Sequence, residues 1–363
     1  MKYKIFHISL LLAWFICFAL GAQSPVETKT IVRAFRVSPT SKISVSNKYG
    51  NLRVELWDKD SIRFEITQTI NEKNPVKLAK IRENISYRFA QIPSGLEVQT
   101  LFSEKHSSLI KNVKEATNYL DPQNLQSRIN YKITMPTYIN LTLELKYGDI
   151  ILPTLSGNIT IDLSNGNLQT GDFNATLNLK QSFGNAYLKK IAQGDLDLNF
   201  VELQCESSNN LLINTKSSTI IIDQCGTLRI DSRRDQLTIQ NVDELFLTTY
   251  FSTIRQLDIN KTGQLNFQYG KVSNLSASRE LTKLIIDSRM CDVNLKMISP
   301  KSYTAVIQAK NTQIKLPTDL KPLLSNYKYT IENNPVNFQF GKEPFQSQLI
   351  INNSDSDLTI SHK

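Results

Sequence analysis

Hydrophobic and polar residues alternate along most of this chain, as in Asn158-Ile159-Thr160-Ile161-Asp162-Leu163 and Gly226-Thr227-Leu228-Arg229-Ile230-Asp231. A period of two puts successive side chains on opposite faces, so these runs are strands with one face inward and one in water. The alternation is itself repeated. Stepping from Tyr147 to Asn165, Phe183, Phe200, Ser217, Arg234, Phe251, Tyr269, Met290 and Asn311 gives intervals of 17 to 21 residues. The fourth residue before each of these positions is aliphatic: Leu143, Ile161, Leu179, Leu196, Ile213, Ile230, Leu247, Leu265, Ile286 and Ile307. The third residue after each is apolar as well, from Ile150, Leu168 and Ala186 to Val293 and Ile314. Two short strands and their turns fill such an interval. It is about half of the ~40 residues of a propeller blade.

The expected fold is therefore all-β: a single-stranded parallel β-helix, or β-solenoid, whose coils of 17–21 residues stack their Ile, Leu and Val columns into one core. An N-terminal β-rich excursion with one short helix interrupts it. The phrase VSNKYGNLRV at 45–54 returns at 143–152 as LELKYGDIIL, so the first coil is placed at 41–57 and the chain re-enters the stack near Leu141. Between them, 58–138 is an inserted excursion within an N-terminal region spanning 23–140. Leu78, Ile81 and Ile85 mark one face of a helix over 76–85, and the polar stretch 103–126 reads as a mobile loop. The solenoid proper covers 141–317. A C-terminal excursion and capping coil fill 318–363, with Leu349, Ile351, Leu358 and Ile360 rejoining the period around Asp355. Tyr147-Gly148-Asp149, Asn165-Gly166-Asn167 and Phe183-Gly184-Asn185 are turn signals in which glycine supplies a positive φ.

Lys2 and Lys4 precede an apolar run over 8–20 that ends in Gly21-Ala22. This is a secretory signal peptide over 1–22 with cleavage after Ala22, too short for a membrane span of about 20 residues. No second run reaches spanning length, so the mature chain carries no transmembrane segment and is expected in the periplasm or at the cell surface. Losing two of the 42 basic residues and none of the 33 acidic ones leaves an excess of seven positive charges. The composition, 40% hydrophobic and 21% charged, is that of a globular protein. Cys205, Cys225 and Cys291 remain, without the dense spacing of a disulfide framework, and read as free buried thiols.

Candidate chemistry is sparse. His7 leaves with the signal, His106 lies in the polar loop and His362 is penultimate, so no hydrolytic triad is legible. The scattered cysteines give no zinc site, and no phosphate loop or calcium-binding nonapeptide is present; no cofactor, metal or nucleic acid is expected. Three residues before each anchor an outward column carries Glu144, Asp162, Lys180, Asp197, Asn214, Asp231 and Asp287. Asp162, Asp197 and Asp231 are the candidates for an acid–base pair of a polysaccharide hydrolase or lyase. The competing reading is a solvated charge ladder in which Lys180 relieves repulsion between flanking carboxylates. The anchors Tyr147, Phe183, Phe200, Phe251 and Tyr269 suit a sugar-stacking strip, although packing into the coil corners is the more economical expectation for Phe. Arg233 and Arg234, with Arg255, are candidates for an anionic partner.

The signal sequence, the N-x-Y-G and K-Y-G coil starts at 47–50 and 146–148, the strand Tyr131-Lys132-Ile133-Thr134-Met135-Pro136 and the short coils behind it together resemble the adhesin-like family of bacterial envelope β-solenoid domains. The resemblance covers nearly the whole mature chain and rests on structural motifs. It implies a secreted or periplasmic, non-catalytic protein that binds or scaffolds an envelope protein or glycan, and it carries over no site residues. The expectation from sequence is a non-enzymatic, exported, adhesin-like β-solenoid acting at the cell envelope. The alternative is a polysaccharide hydrolase or lyase working through Asp162, Asp197 or Asp231.

Overall fold

The structure is a computed structural model that describes residues 26–103, 127–320 and 335–363. The signal peptide expected over 1–22, His106 and nearly all of the polar loop expected at 103–126 lie outside these residues, as does the middle of the C-terminal excursion. Among the described residues the protein is all-β with one helix. Contacts divide the chain into two units, one of which comprises 31–66, 87–100 and 129–363.

The other unit holds the helix, Pro75–Glu83, here α1. Asn74 caps it, its side chain accepting from the backbone N–H groups of Val76 and Lys77 at 2.9 and 3.2 Å, and proline occupies the first turn, where its missing N–H costs nothing. The helix stops short of the expected 85: Ile85 opens the strand Ile85–Ile92. Leu78 and Ile81 are half-buried, while Arg82 pairs with Glu27 at 3.6 Å.

In the larger unit, strands run parallel and in register with segments 17 or 18 residues away. Ile159 faces Leu141 on one side and Leu177 on the other. Further along, Ile213 faces Ile230, and Ile230 faces Leu247. These side chains point inward and are at most 2% exposed, as are their counterparts Leu203, Ile220, Leu237 and Ile254. Because a parallel register keeps like positions adjacent, each aliphatic column packs on itself, and truncating one member opens a cavity between its two neighbours.

The anchors are the corners of this arrangement. Tyr49, Tyr147, Asn165, Phe183, Phe200, Ser217, Arg234, Phe251, Tyr269, Met290, Asn311 and Asp355 all have φ between 49° and 64°. The left-handed conformation costs a non-glycine residue about 1 kcal/mol or more, and the ladder offsets it by engaging the corner amides. Tyr147 N donates to Ser164 O, Asn165 N to Ser182 O and Phe251 N to Gln268 O, at 2.8–2.9 Å. The positive φ expected of the turn glycines thus falls mainly on the residue before them. Glycine answers a different need: a Cβ on Gly148 would lie 2.0 Å from Gly50 O, and one on Gly166 1.8 Å from Gly148 O. Where that column carries no glycine, polar side chains bond along it instead. Val201 N donates to Ser218 Oγ, Ser218 N to Asp235 Oδ1 and Asp235 N to Ser252 Oγ.

The order of rows departs from chain order at both ends. The segment Lys42–Lys48 lies between Asn140–Lys146 and Gly95–Phe102, so the excursion itself supplies the row beyond the one expected to come first. Leu52–Leu56 is likewise held between Ile150–Leu152 and Ser127–Met135. At the other end Ser347–Ser354 inserts between Lys283–Arg289 and Tyr303–Lys310, which were expected to be neighbours. Met290 N donates to Ser354 O and Asp355 N to Lys310 O, continuing the corner ladder through the inserted row. The outer row is then covered by Val336–Phe340, which pairs antiparallel with Tyr303–Lys310 and so occupies an edge that would invite another chain.

Candidate functional site

One line of corners carries side chains that a folded chain ordinarily hides. Phe183, Phe200 and Phe251 are 51%, 53% and 57% exposed. The expectation that these phenylalanines pack into the corners is overturned. A left-handed residue at a corner directs its side chain outward, and the rings cover one another across adjacent rows. Phe183 and Phe200 stack with centroids 5.1 Å apart and planes 1° apart. Phe251 stacks on Tyr269 at 5.1 Å and Tyr49 on Tyr147 at 5.3 Å. The structure therefore brings the candidates Tyr147 and Tyr269 into the same corner line as the phenylalanines, each within a stacked pair.

Immediately before the corner lies a second column: Lys48, Lys146, Ser164 and Ser182 in one part of the sheet, and Lys216, Arg233, Tyr250, Gln268 and Arg289 in another, each facing the next in register. Ser354 and Lys310 extend it through the inserted row. None of these residues is acidic, so a basic strip runs beside the aromatic one. Lys48 Nζ sits 4.6 Å from the Tyr49 ring centroid and Arg289 Cζ 6.0 Å from that of Tyr269, cation–π contacts that couple the two columns. Lys146 also pairs with Glu144 at 3.5 Å across an exposed surface, where the gain is small.

Two residues farther back on each strand stands the acidic column. Asp162 faces Glu144 and Lys180 in register, which places the lysine beside it as the sequence implied. Asp231 faces Asn214 and Thr248. Asp197 and Asp231 line one open depression of about 280 Å³ together with Asn214, Lys216, Arg233 and Tyr250. Asp162 is outside it. A larger polar depression of about 540 Å³ occupies the same columns near the C-terminal rows, lined by Asp287, Arg289, Gln308, Lys310 and Asn352 among others. Both are floored by strand residues whose alternate side chains form the core, so neither penetrates the sheet.

The aromatic line is broken between Phe200 and Phe251. The two corners there are Ser217, half-buried, and Arg234, exposed, with Arg233 exposed beside it. Beneath them Asp235, 2% exposed, accepts from Ser218 N at 2.6 Å, Ser232 Oγ at 2.7 Å and Arg233 N at 2.8 Å. Burial pushes its carboxyl above the usual carboxylate range, with these donors pulling the other way. The carboxylate fixes the backbone on both sides of Arg234 and so sets where the arginine stands. Arg255, the third arginine singled out from sequence, donates to Gln236 Oε1.

A cluster that sequence reasoning missed joins the C-terminal rows. His362 Nε2 lies 2.8 Å from Tyr303 Oη, and its Nδ1 lies 2.7 Å from Asp319 Oδ2. The tautomer bearing a proton on Nδ1 satisfies both bonds. Tyr303 is 0% exposed, and burial, then Asp319, pushes its phenol up, so the hydroxyl is neither ionised nor offered to a substrate. The arrangement ties the inserted row to the outer one. Cys205, Cys225 and Cys291 are free and buried as expected; burial raises the first two thiols to about 12 and the third to about 11. Among the described residues no three His, Cys, Asp or Glu side chains converge on a metal position, and no helix is long and apolar enough to cross a membrane.

Neither a family model nor a curated protein matches the chain. Solved structures similar to it include a proposed cell adhesion protein from Clostridium sporogenes, 10% identical, with TM-score 0.20 and coverage of 93% of this chain and 100% of that one. A proposed lipid binding protein from Parabacteroides distasonis is 12% identical, with TM-score 0.27 and coverage of 92% and 96%. A proposed adhesin from Bacteroides fragilis is 11% identical, with TM-score 0.19 and coverage of 92% and 97%. At such values the likenesses carry no argument, and function has to be reasoned from the chain's own residues.

Proposed function

We propose that the stacked rows are the coils of a single-stranded parallel β-solenoid, and that this exported, non-enzymatic, adhesin-like protein binds or scaffolds an elongated component of the bacterial cell envelope along its aromatic and basic edge. The observation that carries the reading is the row of exposed, mutually stacked rings at left-handed corners. Leaving three phenylalanines more than half exposed forgoes burial worth about 1.5–3 kcal/mol for each fully buried side chain, and an aligned apolar patch of this kind marks a binding surface more often than a bare one. Backbone ladders hold the columns rigid, so little conformational freedom is lost when a long partner lies along them. The lysine and arginine column beside the rings favours a partner with negative charge.

The test is co-sedimentation of the mature chain with isolated cell envelopes. The triple variant Phe183→Ala, Phe200→Ala and Phe251→Ala should be released at least about tenfold more readily than the wild type, since truncated aromatic anchors each commonly cost more than about 1 kcal/mol of binding. Wild-type retention by the triple variant would remove the edge as the binding surface.

A second reading has one observation in its favour: Asp197 and Asp231 line the same depression. They stand two rows apart, about 9.6 Å along the stack, near the upper end of the spacing for an inverting acid–base pair. Release of new reducing ends from acidic polysaccharides, abolished in Asp197→Asn, would put a hydrolase in place of the binding protein.

A further inference from the structure

Resting on the edge-binding reading above, we infer that the break in the aromatic line between Phe200 and Phe251 is a subsite for an acidic polysaccharide, gripped between two ring faces and read by Lys216, Arg233 and Arg234. Phe183 covers one face of Phe200, and Tyr269 covers one face of Phe251. Their other faces look toward each other along the line of corners, across Ser217 and Arg234, a separation of three rows or about 14 Å. A second interval bounded by ring faces, between Tyr147 and Phe183, is one row narrower and has the uncharged Asn165 at its corner, whereas the interval between Phe200 and Phe251 carries Arg234. The C–H faces of pyranose rings carry the slight positive charge that suits the negative face of an aromatic ring.

The polar groups around the gap distinguish among polyanions. Lys216, Arg233 and Arg234 offer the cations, two of them guanidinium forks that match a carboxylate with paired hydrogen bonds. Next to them in the depression stand Asp197 and Asp231, both exposed and acceptor-only when ionised. A sugar chain with carboxylates serves both sets, its acid groups meeting the arginines and its hydroxyls donating to the aspartates. A phosphodiester backbone has no O–H or N–H to give the aspartates and is repelled by them. A neutral glycan leaves the arginines unanswered. The buried Asp235 holds the backbone of Arg233 in place, so the cationic side of the subsite is set before any ligand arrives.

The experiment titrates the mature chain calorimetrically with oligomers of polygalacturonate, alginate and hyaluronate, with methyl-esterified oligogalacturonate as the neutral counterpart and oligo-dT as the nucleic acid. At least one acidic oligosaccharide should bind, with the esterified form at least about tenfold weaker. Phe251→Ala and the double variant Arg233→Gln, Arg234→Gln should each weaken it about tenfold or more, and the double variant should flatten its salt dependence. Lys296→Gln, an exposed lysine on the strand Val293–Met297 outside the edge, should bind as the wild type does, and far-UV circular dichroism should be unchanged in all three. If none of the acidic glycans binds while the wild type still sediments with envelopes, the glycan inference fails and the edge reading survives. If the Phe251 and arginine variants change neither glycan binding nor envelope retention, both fall. Binding of oligo-dT as tight as that of the best glycan would also overturn the inference, because the aspartates should disfavour it.

Discussion

Replacing Asp235 by alanine tests how the polar column holds the corner beneath Arg234. The carboxylate accepts from Ser218 N, Ser232 Oγ and Arg233 N, all within 2.8 Å, in a site 2% exposed. Alanine leaves Ser218 N and Arg233 N without this acceptor, while Ser232 Oγ keeps Ser252 Oγ at 2.9 Å. A stranded buried donor costs about 1–3 kcal/mol, and relief from burying a carboxylate offsets part of the sum, which leaves a net loss of about 3 kcal/mol. The dependence on pH is the sharper test. Alanine does not titrate, so the change in the stability gap between wild type and variant with pH isolates this carboxyl. Its folded-state value is raised because burial outweighs the donors. Its contribution is therefore complete below the unfolded value of about 3.9 and is lost progressively as pH rises through the higher folded value. Urea unfolding followed by circular dichroism from about pH 3 to 7 should show a gap widest at the acid end and narrowing upward. A gap that widens as pH rises would mean that the three donors win over burial, and the account of this corner would be wrong.

Ile230→Ala should cost about 2–5 kcal/mol by opening a cavity between Ile213 and Leu247, whereas Asp231→Ala, one residue on and facing solvent, should stay within about 0.5 kcal/mol in the same urea assay. His362→Ala leaves the buried Tyr303 hydroxyl without its partner and should lose about 1–3 kcal/mol, read as faster hydrogen exchange in Tyr303–Lys310 and Ser347–Ser354 with no change in the row at 228–233. The thiols of Cys205 and Cys225, pushed up to about 12, should resist a thiol-specific disulfide reagent at pH 8 in the native protein and react fully in guanidinium.

The inward columns were legible because a parallel register repeats the same aliphatic choice at the same phase, so Ile213, Ile230 and Leu247 could be aligned before any contact was known. Corner positions were legible for the same reason: every anchor used to count the period is left-handed. Row order at the ends was not legible. Ile286 is in phase both with Ile307 and with Ile351, and alternation states which way a side chain points without stating which row lies beside it. The cluster of Tyr303, Asp319 and His362 escaped notice because it exists only once that inserted row is in place. Exposure of the phenylalanines was misjudged by weighing each residue by its type. What decides it is the corner's left-handed backbone, which turns the ring outward against its neighbour in the adjacent row.

The edge exists only if successive corners lie on one line at the spacing of parallel strands. Pulsed electron paramagnetic resonance on spin labels placed by Asn165→Cys with Met290→Cys, and by Asn165→Cys with Tyr269→Cys, measures this directly, since the three native thiols are buried. Seven and six rows should separate the labels by about 34 and 29 Å, one strand spacing apart. Equal distances, or a shorter distance for the pair with more intervening rows, would contradict the account.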